Sequence, residues 1–233
     1  MNEFNRHRAM IAQVANALGP EFLEEMVFLG GCTTGLLLTD DFSRESVRHT
    51  NDVDLIVRVV GKIGWFDLQR KLRALGFRED MDEDGPICAM RYGELRVDFM
   101  PDDEAILGFS NRWYAAALGS ADPYQIDDTT SIRLVSPVYF VATKLEAYLG
   151  RGNGDVLASH DIEDILVLFD GRDSIVEEIT QSEDELRAYI AEQITGLLQD
   201  PGLGYAIQST AGGNDGRARL ILERLEHATK AGA

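Results

Sequence analysis

Asp52, Asp54 and Asp98 are the residues whose types and spacing first suggest chemistry. The stretch Arg48-His49-Thr50-Asn51-Asp52-Val53-Asp54-Leu55-Ile56-Val57-Arg58-Val59 reads as a β-strand that carries two acids at its start. Val53, Leu55, Val57 and Val59 share one face at period two, which predicts a buried aliphatic face. Asp52 and Asp54 then project together from the other face, with Cα atoms roughly 6.5 Å apart by strand rise. Two carboxylates that close repel each other unless a cation lies between them. Short acidic side chains are hard oxygen ligands, and Mg²⁺ suits them. A strand with a merely solvated acidic end has the same pattern. Asp98 adds weight to the first reading. In the strand expected over 94–100, Leu95, Val97 and Phe99 point one way while Glu94, Arg96 and Asp98 point the other, so a third acid stands on a polar strand face just before Pro101.

The surrounding elements have to position these acids. The spacing predicts a helix over 3–18, stopped by Gly19-Pro20, then a short helical piece over 21–25. The apolar strand 26–29 ends at Gly30-Gly31 and leads into Cys32-Thr33-Thr34-Gly35, a strand-to-helix turn. Glycines there allow a close backbone approach, and free amides at a helix start favour an anion such as phosphate; a plain turn also uses a glycine pair. A helix follows over 65–75, a polar connection over 77–83, and a hairpin pairing 87–92 with 94–100. A short helix over 111–118 and a small edge hairpin, 124–126 with 132–135, complete this half.

From Ser136 onward only helices are expected, so the boundary falls near Val135, giving domains over 1–135 and 136–233. Ser136-Pro137 is an N-cap followed by proline at the first helical position. Val138, Val141, Leu145 and Tyr148 form the apolar face of that helix, and Lys144 and Arg151 are expected on its other face. Arg151-Gly152-Asn153-Gly154 reads as a flexible loop. The next helix carries Ile162, Ile165, Leu166 and Phe169 on one side, with Asp161 and Asp164 a turn apart and away from it. Those two acids are nucleotide-site residues, or partners for Arg151, or charges at a helix start. Helices through 186–194 and 218–225 follow, with a less regular stretch over 201–214.

Composition narrows the classes. At 233 residues, 45% hydrophobic and 27% charged, the chain has the profile of a globular protein with real cores. No apolar run approaches the roughly 20 residues of a membrane span, and Met1-Asn2-Glu3-Phe4 lacks a signal-peptide pattern. Cys32 and Cys88 make no disulfide framework, so a cytoplasmic location is expected. A formal net charge of −18 repels nucleic acid from most of the surface, so a nucleotide would need a local site.

The set Gly30-Gly31, Asp52-Val53-Asp54 and Asp98 resembles the nucleotidyltransferase superfamily that includes DNA polymerase β. With Gly-Gly-Cys-Thr, Arg-His-Thr-Asn-Asp-Val-Asp-Leu and the later Lys144…Arg151…Asp161-Ile162-Glu163-Asp164, it is most similar to the nucleotidyltransferase toxins of abortive-infection and toxin–antitoxin systems. The resemblance spans most of 28–170. Two departures stand out: a long segment between Gly31 and Asp52, and glycine where serine often follows the first glycine. The resemblance implies an α+β, mixed-sheet catalytic domain followed by an all-helical domain. It implies that Asp52, Asp54 and Asp98 bind two Mg²⁺ ions and catalyse transfer of NMP from an NTP to an acceptor hydroxyl. It assigns Gly30, Gly31 and Thr33 to phosphate, with Arg48 and Lys144 reaching the triphosphate and Asp161 and Asp164 completing the nucleotide site. The acceptor would be tRNA, another RNA, a protein or a small molecule, and an antitoxin would be a protein partner. Two other readings stand beside this one: an aminoglycoside-like small-molecule adenylyltransferase, and a non-catalytic partner-binding protein.

Overall fold

The computed structural model describes residues 1–80, 87–108, 110–151 and 154–230. The polar connection at 77–83 and the loop at 151–154 lie partly outside the described residues. In chain order the elements begin with α1 (Glu3–Leu18), α2 (Pro20–Leu23), β1 (Met26–Leu29), α3 (Thr34–Leu37), α4 (Asp41–Arg44), β2 (Asp52–Val57), α5 (Gly61–Ala74) and β3 (Arg78–Glu79). They continue with β4 (Ala89–Tyr92), β5 (Leu95–Pro101), α6 (Glu104–Leu107), α7 (Tyr114–Gly119), β6 (Asp122–Gln125) and β7 (Ser131–Leu134). Helices complete the chain: α8 (Pro137–Arg151), α9 (His160–Gly171), α10 (Ile175–Thr180), α11 (Asp184–Leu198), α12 (Leu203–Thr210) and α13 (Asp215–Lys230). The architecture is α+β. Among the described residues no helix is long and apolar enough to cross a membrane.

The chain forms two compact units, Met1–Thr33 with His49–Ser136, and Thr34–Arg48 with Pro137–Ala233. The segment 34–48, which the sequence reading placed with the strands, packs with the helices.

The first unit holds a seven-stranded mixed sheet in the order β3-β4-β5-β2-β1-β7-β6. β2 runs antiparallel to β1 and parallel to β5, so it lies inside the sheet with both edges paired. The β4–β5 hairpin turns at Gly93, and β6 with β7 forms the expected edge hairpin. Val53, Leu55 and Val57 are buried as their parity predicts, and so is Ile56 on the face shared by Asp52 and Asp54. The polar face of β2 is therefore confined to its first turn; beyond Asp54 both faces of the strand are covered. Phe28, Phe77 and Phe99 are wholly buried, and Phe77 packs edge-on against Phe99 at 5.4 Å.

In the second unit α8 is buried at every position from Val138 to Leu145, and α9 at every position from Asp164 to Gly171. A helix enclosed on all sides has no solvated face, so Lys144, Asp161 and Asp164, expected away from the apolar stripes, are buried as well. The stretch 201–214 is also more regular than expected, because Leu203, Ala206 and Ile207 give α12 an apolar face to bury. Segment 34–48 is fastened by polar contacts. Asp40 caps α4 through the amides of Phe42 and Ser43, and its carboxyl is held below the usual range, chiefly by the Ser43 hydroxyl. Arg217 reaches Asp40, Ser43 and Asp170, while the Gly171 carbonyl accepts from the Thr39 and Asp40 amides at 2.8 and 3.0 Å.

Candidate active site

Parallel pairing of β2 and β5 sets Asp54 directly opposite Asp98 and Asp52 opposite Arg96. Residues facing each other across a strand pair share one face of the sheet, so register joins what parity in each strand separately suggested. Carboxylate oxygens of Asp52, Asp54 and Asp98 lie within 4.8 Å of one another. Asp98 is buried, while Asp52 and Asp54 are partly open. The donor set is all hard oxygen. Ligand oxygens of a Mg²⁺ octahedron stand about 2.9 Å apart when adjacent and about 4.2 Å when opposite, so these three carboxylates are near enough to converge on one ion as it binds. Two ions a few ångströms apart fit the same spread.

Gly30 stands against this group. Its φ is +78°, and a Cβ built there would lie 1.8 Å from Asp54 Oδ2. Leu29 is the register partner of Asp54, so the turn after β1 passes directly over that carboxylate. Glycine is therefore required here twice over: by the left-handed backbone, and by the approach of Asp54. Gly31 opens a single buried 3₁₀ turn through Thr33. Thr33, expected to offer a hydroxyl to phosphate, is wholly buried and donates that hydroxyl to the Gly30 carbonyl at 2.8 Å. Here Thr33 shapes the turn. Cys32 is a packed residue, also buried.

Arg96 has no role in the sequence reading, although it shares parity with Asp98. Its Nε donates to Asp98 Oδ1 and its Nη2 to Oδ2, both at 2.9 Å. This fork, reinforced by the charges of Asp98 and Asp52, raises the guanidinium's pKa above its ordinary value. Thr50 donates its hydroxyl to Asp52, and Arg6 of α1 holds the Thr50 carbonyl at 2.9 Å, fixing the entry to β2. Cys88 lies in the field of these acids. Burial first, then Asp98, pushes its thiol up to about 12, so it stays protonated at neutral pH.

In the helical unit the remaining predicted residues form a second charge cluster. Lys144 Nζ donates to Asp161 Oδ1 at 3.1 Å and to Asp164 Oδ2 at 2.7 Å. Arg48 meets Asp164 through Nε at 3.1 Å and Nη2 at 3.0 Å, and Thr34 adds its hydroxyl at 3.2 Å. Arg151, mostly exposed, reaches both oxygens of Asp161 at 3.2 Å. Asp161 is therefore a partner of Arg151 and Lys144, and Asp164 of Arg48 and Lys144. Burial opposes charge on Lys144, yet Asp164 and Asp161 outweigh it and hold the ammonium's pKa above the usual value. Burial likewise opposes charge on Asp164, and Lys144 and Arg48 reverse the effect; at Asp161, Lys144 and Arg151 do the same. Both carboxyls sit below their ordinary range. The sequence held a signal for the burial of Lys144, since it falls three residues after Val141 and four before Tyr148, at the margin of the apolar stripe. His160 is exposed, and its Nδ1 lies 3.2 Å from Glu163 Oε2.

Compared with models of known protein families and with curated proteins, the chain finds no match.

Gly30→Ala should lower stability by at least about 1–2 kcal/mol, the usual cost of a left-handed backbone for a residue with a Cβ. It should also shrink any Mg²⁺-dependent rise in melting temperature, because Asp54 must move. Urea unfolding with and without Mg²⁺ checks both, and unchanged stability would contradict the close approach.

Lys144→Met should cost about 3 kcal/mol at neutral pH by leaving buried carboxylates short of a partner. The sign of the pH dependence follows from the shifts. The depressed Asp161 and Asp164 contribute stability above about pH 4, lost as pH falls through their folded values. The raised Lys144 contributes below about pH 10, lost as pH rises through its folded value. The stability gap between wild type and variant should be flat between these limits and narrow outside them. A gap near zero at pH 7 would show that Lys144 does not stabilise the cluster.

Proposed function

We propose that this protein is a Mg²⁺-dependent nucleotidyltransferase, with the polymerase β-like fold its motifs resemble, transferring NMP from an NTP to an acceptor hydroxyl and releasing pyrophosphate. One observation carries the reading: Asp54 faces Asp98 across parallel strands, with Asp52 close enough for all three to share a cation. Mg²⁺ bound there would neutralise the triphosphate and make the acceptor hydroxyl easier to deprotonate. Asp52 and Asp54 serve as its ligands from the first turn of β2. Asp98, from β5, serves as a ligand and accepts the acceptor's proton. The Gly30-Gly31 turn brings backbone beside Asp54 and offers phosphate a surface without side chains. The resemblance also assigns Arg48 and Lys144 to phosphate; in this chain they are engaged by Asp164 and Asp161 within the helical unit. The acceptor class follows the resemblance: RNA or protein, in a toxin paired with an antitoxin.

A second acceptor class has its own support. A net charge of −18 favours a small cationic acceptor over a polyanion, the setting of an aminoglycoside-like adenylyltransferase.

The test is incubation of the purified protein with Mg²⁺, each labelled NTP and separate tRNA, protein and aminoglycoside acceptors, reading label transfer and pyrophosphate. Asp54→Asn should reduce transfer by about a thousandfold or more, since metal stabilisation of the transition state is worth several kcal/mol. Label on the aminoglycoside alone selects the second acceptor class. Equal transfer by wild type and Asp54→Asn, or none with any acceptor, would overturn the reading.

A further inference from the structure

We propose that Arg96 is the resident counter-ion of the acid triad, neutralising Asp98 until a divalent cation arrives and setting how tightly that cation is held. The inference rests on the reading of the triad as a metal site. Arg96 and Asp98 are two residues apart on one face of β5, and the guanidinium engages both carboxylate oxygens at 2.9 Å. Across the strand pair Arg96 is the register partner of Asp52, so the residue that holds the third acid is also a neighbour of the first. β5 does not need this pair to keep its place, because it is already hydrogen-bonded to β2 along one edge and to β4 along the other.

The charges explain why a cation is there. The guanidinium offsets one of the three carboxylate charges. Like charges at this spacing repel, and a cation among them relieves part of that repulsion. A planar guanidinium matches a carboxylate's two oxygens and cannot lose its proton. It is therefore a counter-ion that persists at any working pH. Its position also makes it displaceable, since the Arg96 side chain keeps 29% of its exposure while Asp98 keeps 11%. The arginine has a route toward solvent; the aspartate stays in place. A divalent cation needs an oxygen that the fork occupies and is repelled by the fork's charge, so metal and arginine compete for Asp98.

Calorimetric titration of Mn²⁺ into the metal-stripped full chain tests this with wild type, Arg96→Gln and Arg96→Lys. Arg96→Gln should bind Mn²⁺ about tenfold or more tightly than wild type, the worth of one charged hydrogen-bonded contact. Arg96→Lys, which keeps the charge but not the fork, should fall between them. Melting supplies a reading that does not depend on catalysis: without metal Arg96→Gln should melt below wild type, and Mn²⁺ should raise it by more. A purely structural arginine would lower both melts equally and leave the Mn²⁺ gain unchanged. If wild type binds Mn²⁺ and Arg96→Gln binds it equally or more weakly, the counter-ion role is overturned while the metal site stands. If neither protein takes up Mn²⁺ at millimolar concentration, the metal-site reading falls, and this inference with it.

Discussion

Three carboxylates with oxygens inside 4.8 Å repel one another, and the fold has to supply what keeps them there. At such distances two negative charges in a partly enclosed site oppose each other by several kcal/mol at an intermediate effective dielectric. The backbone provides the first part of the answer: Asp54 and Asp98 occur on paired strands in direct register, so separating them would cost ladder hydrogen bonds. The second part is local. Thr50 donates to Asp52, Arg96 clasps Asp98, and Gly30 clears the space that Asp54 fills. Residues that look incidental in the sequence are explained by this one constraint.

The helical unit meets a similar problem by internal neutralisation. Asp161 and Asp164 are buried, and each meets Lys144 and one arginine. Their charges are favoured despite burial because cations surround them. The acids of the sheet differ in converging: they bring three hard oxygen donors within 4.8 Å of one another on one face, and that convergence is the physical reason for placing a metal with them.

Much of this was legible in the sequence because period-two alternation is a local property. Parity in two strands placed Asp52, Asp54 and Asp98 on polar faces, and the strand 26–29 and the helix 3–18 coincide with β1 and α1. What escaped depends on partners distant in sequence. Ile56 is buried against its parity because another layer covers that face beyond the first turn. Gly30 reads as a phosphate turn, yet its tightest constraint is a side chain 24 positions later. Arg96 was visible on the right face but without a role, since its partnership with Asp98 becomes meaningful only once the register brings Asp52 alongside. Lys144 was expected apart from the apolar stripe because a helix beside one such stripe usually has a polar side, and α8 has no open side along 138–145.

The central claim is that Asp52, Asp54 and Asp98 together hold a divalent cation for phosphoryl transfer. Crystals soaked with Mn²⁺ and a non-hydrolysable NTP, measured at the manganese absorption edge, test it most directly. The account predicts an anomalous peak within about 2.0–2.4 Å of oxygens from all three aspartates, with triphosphate density beside it. A fully occupied nucleotide with no anomalous peak at these carboxylates, or manganese bound only elsewhere, would contradict it.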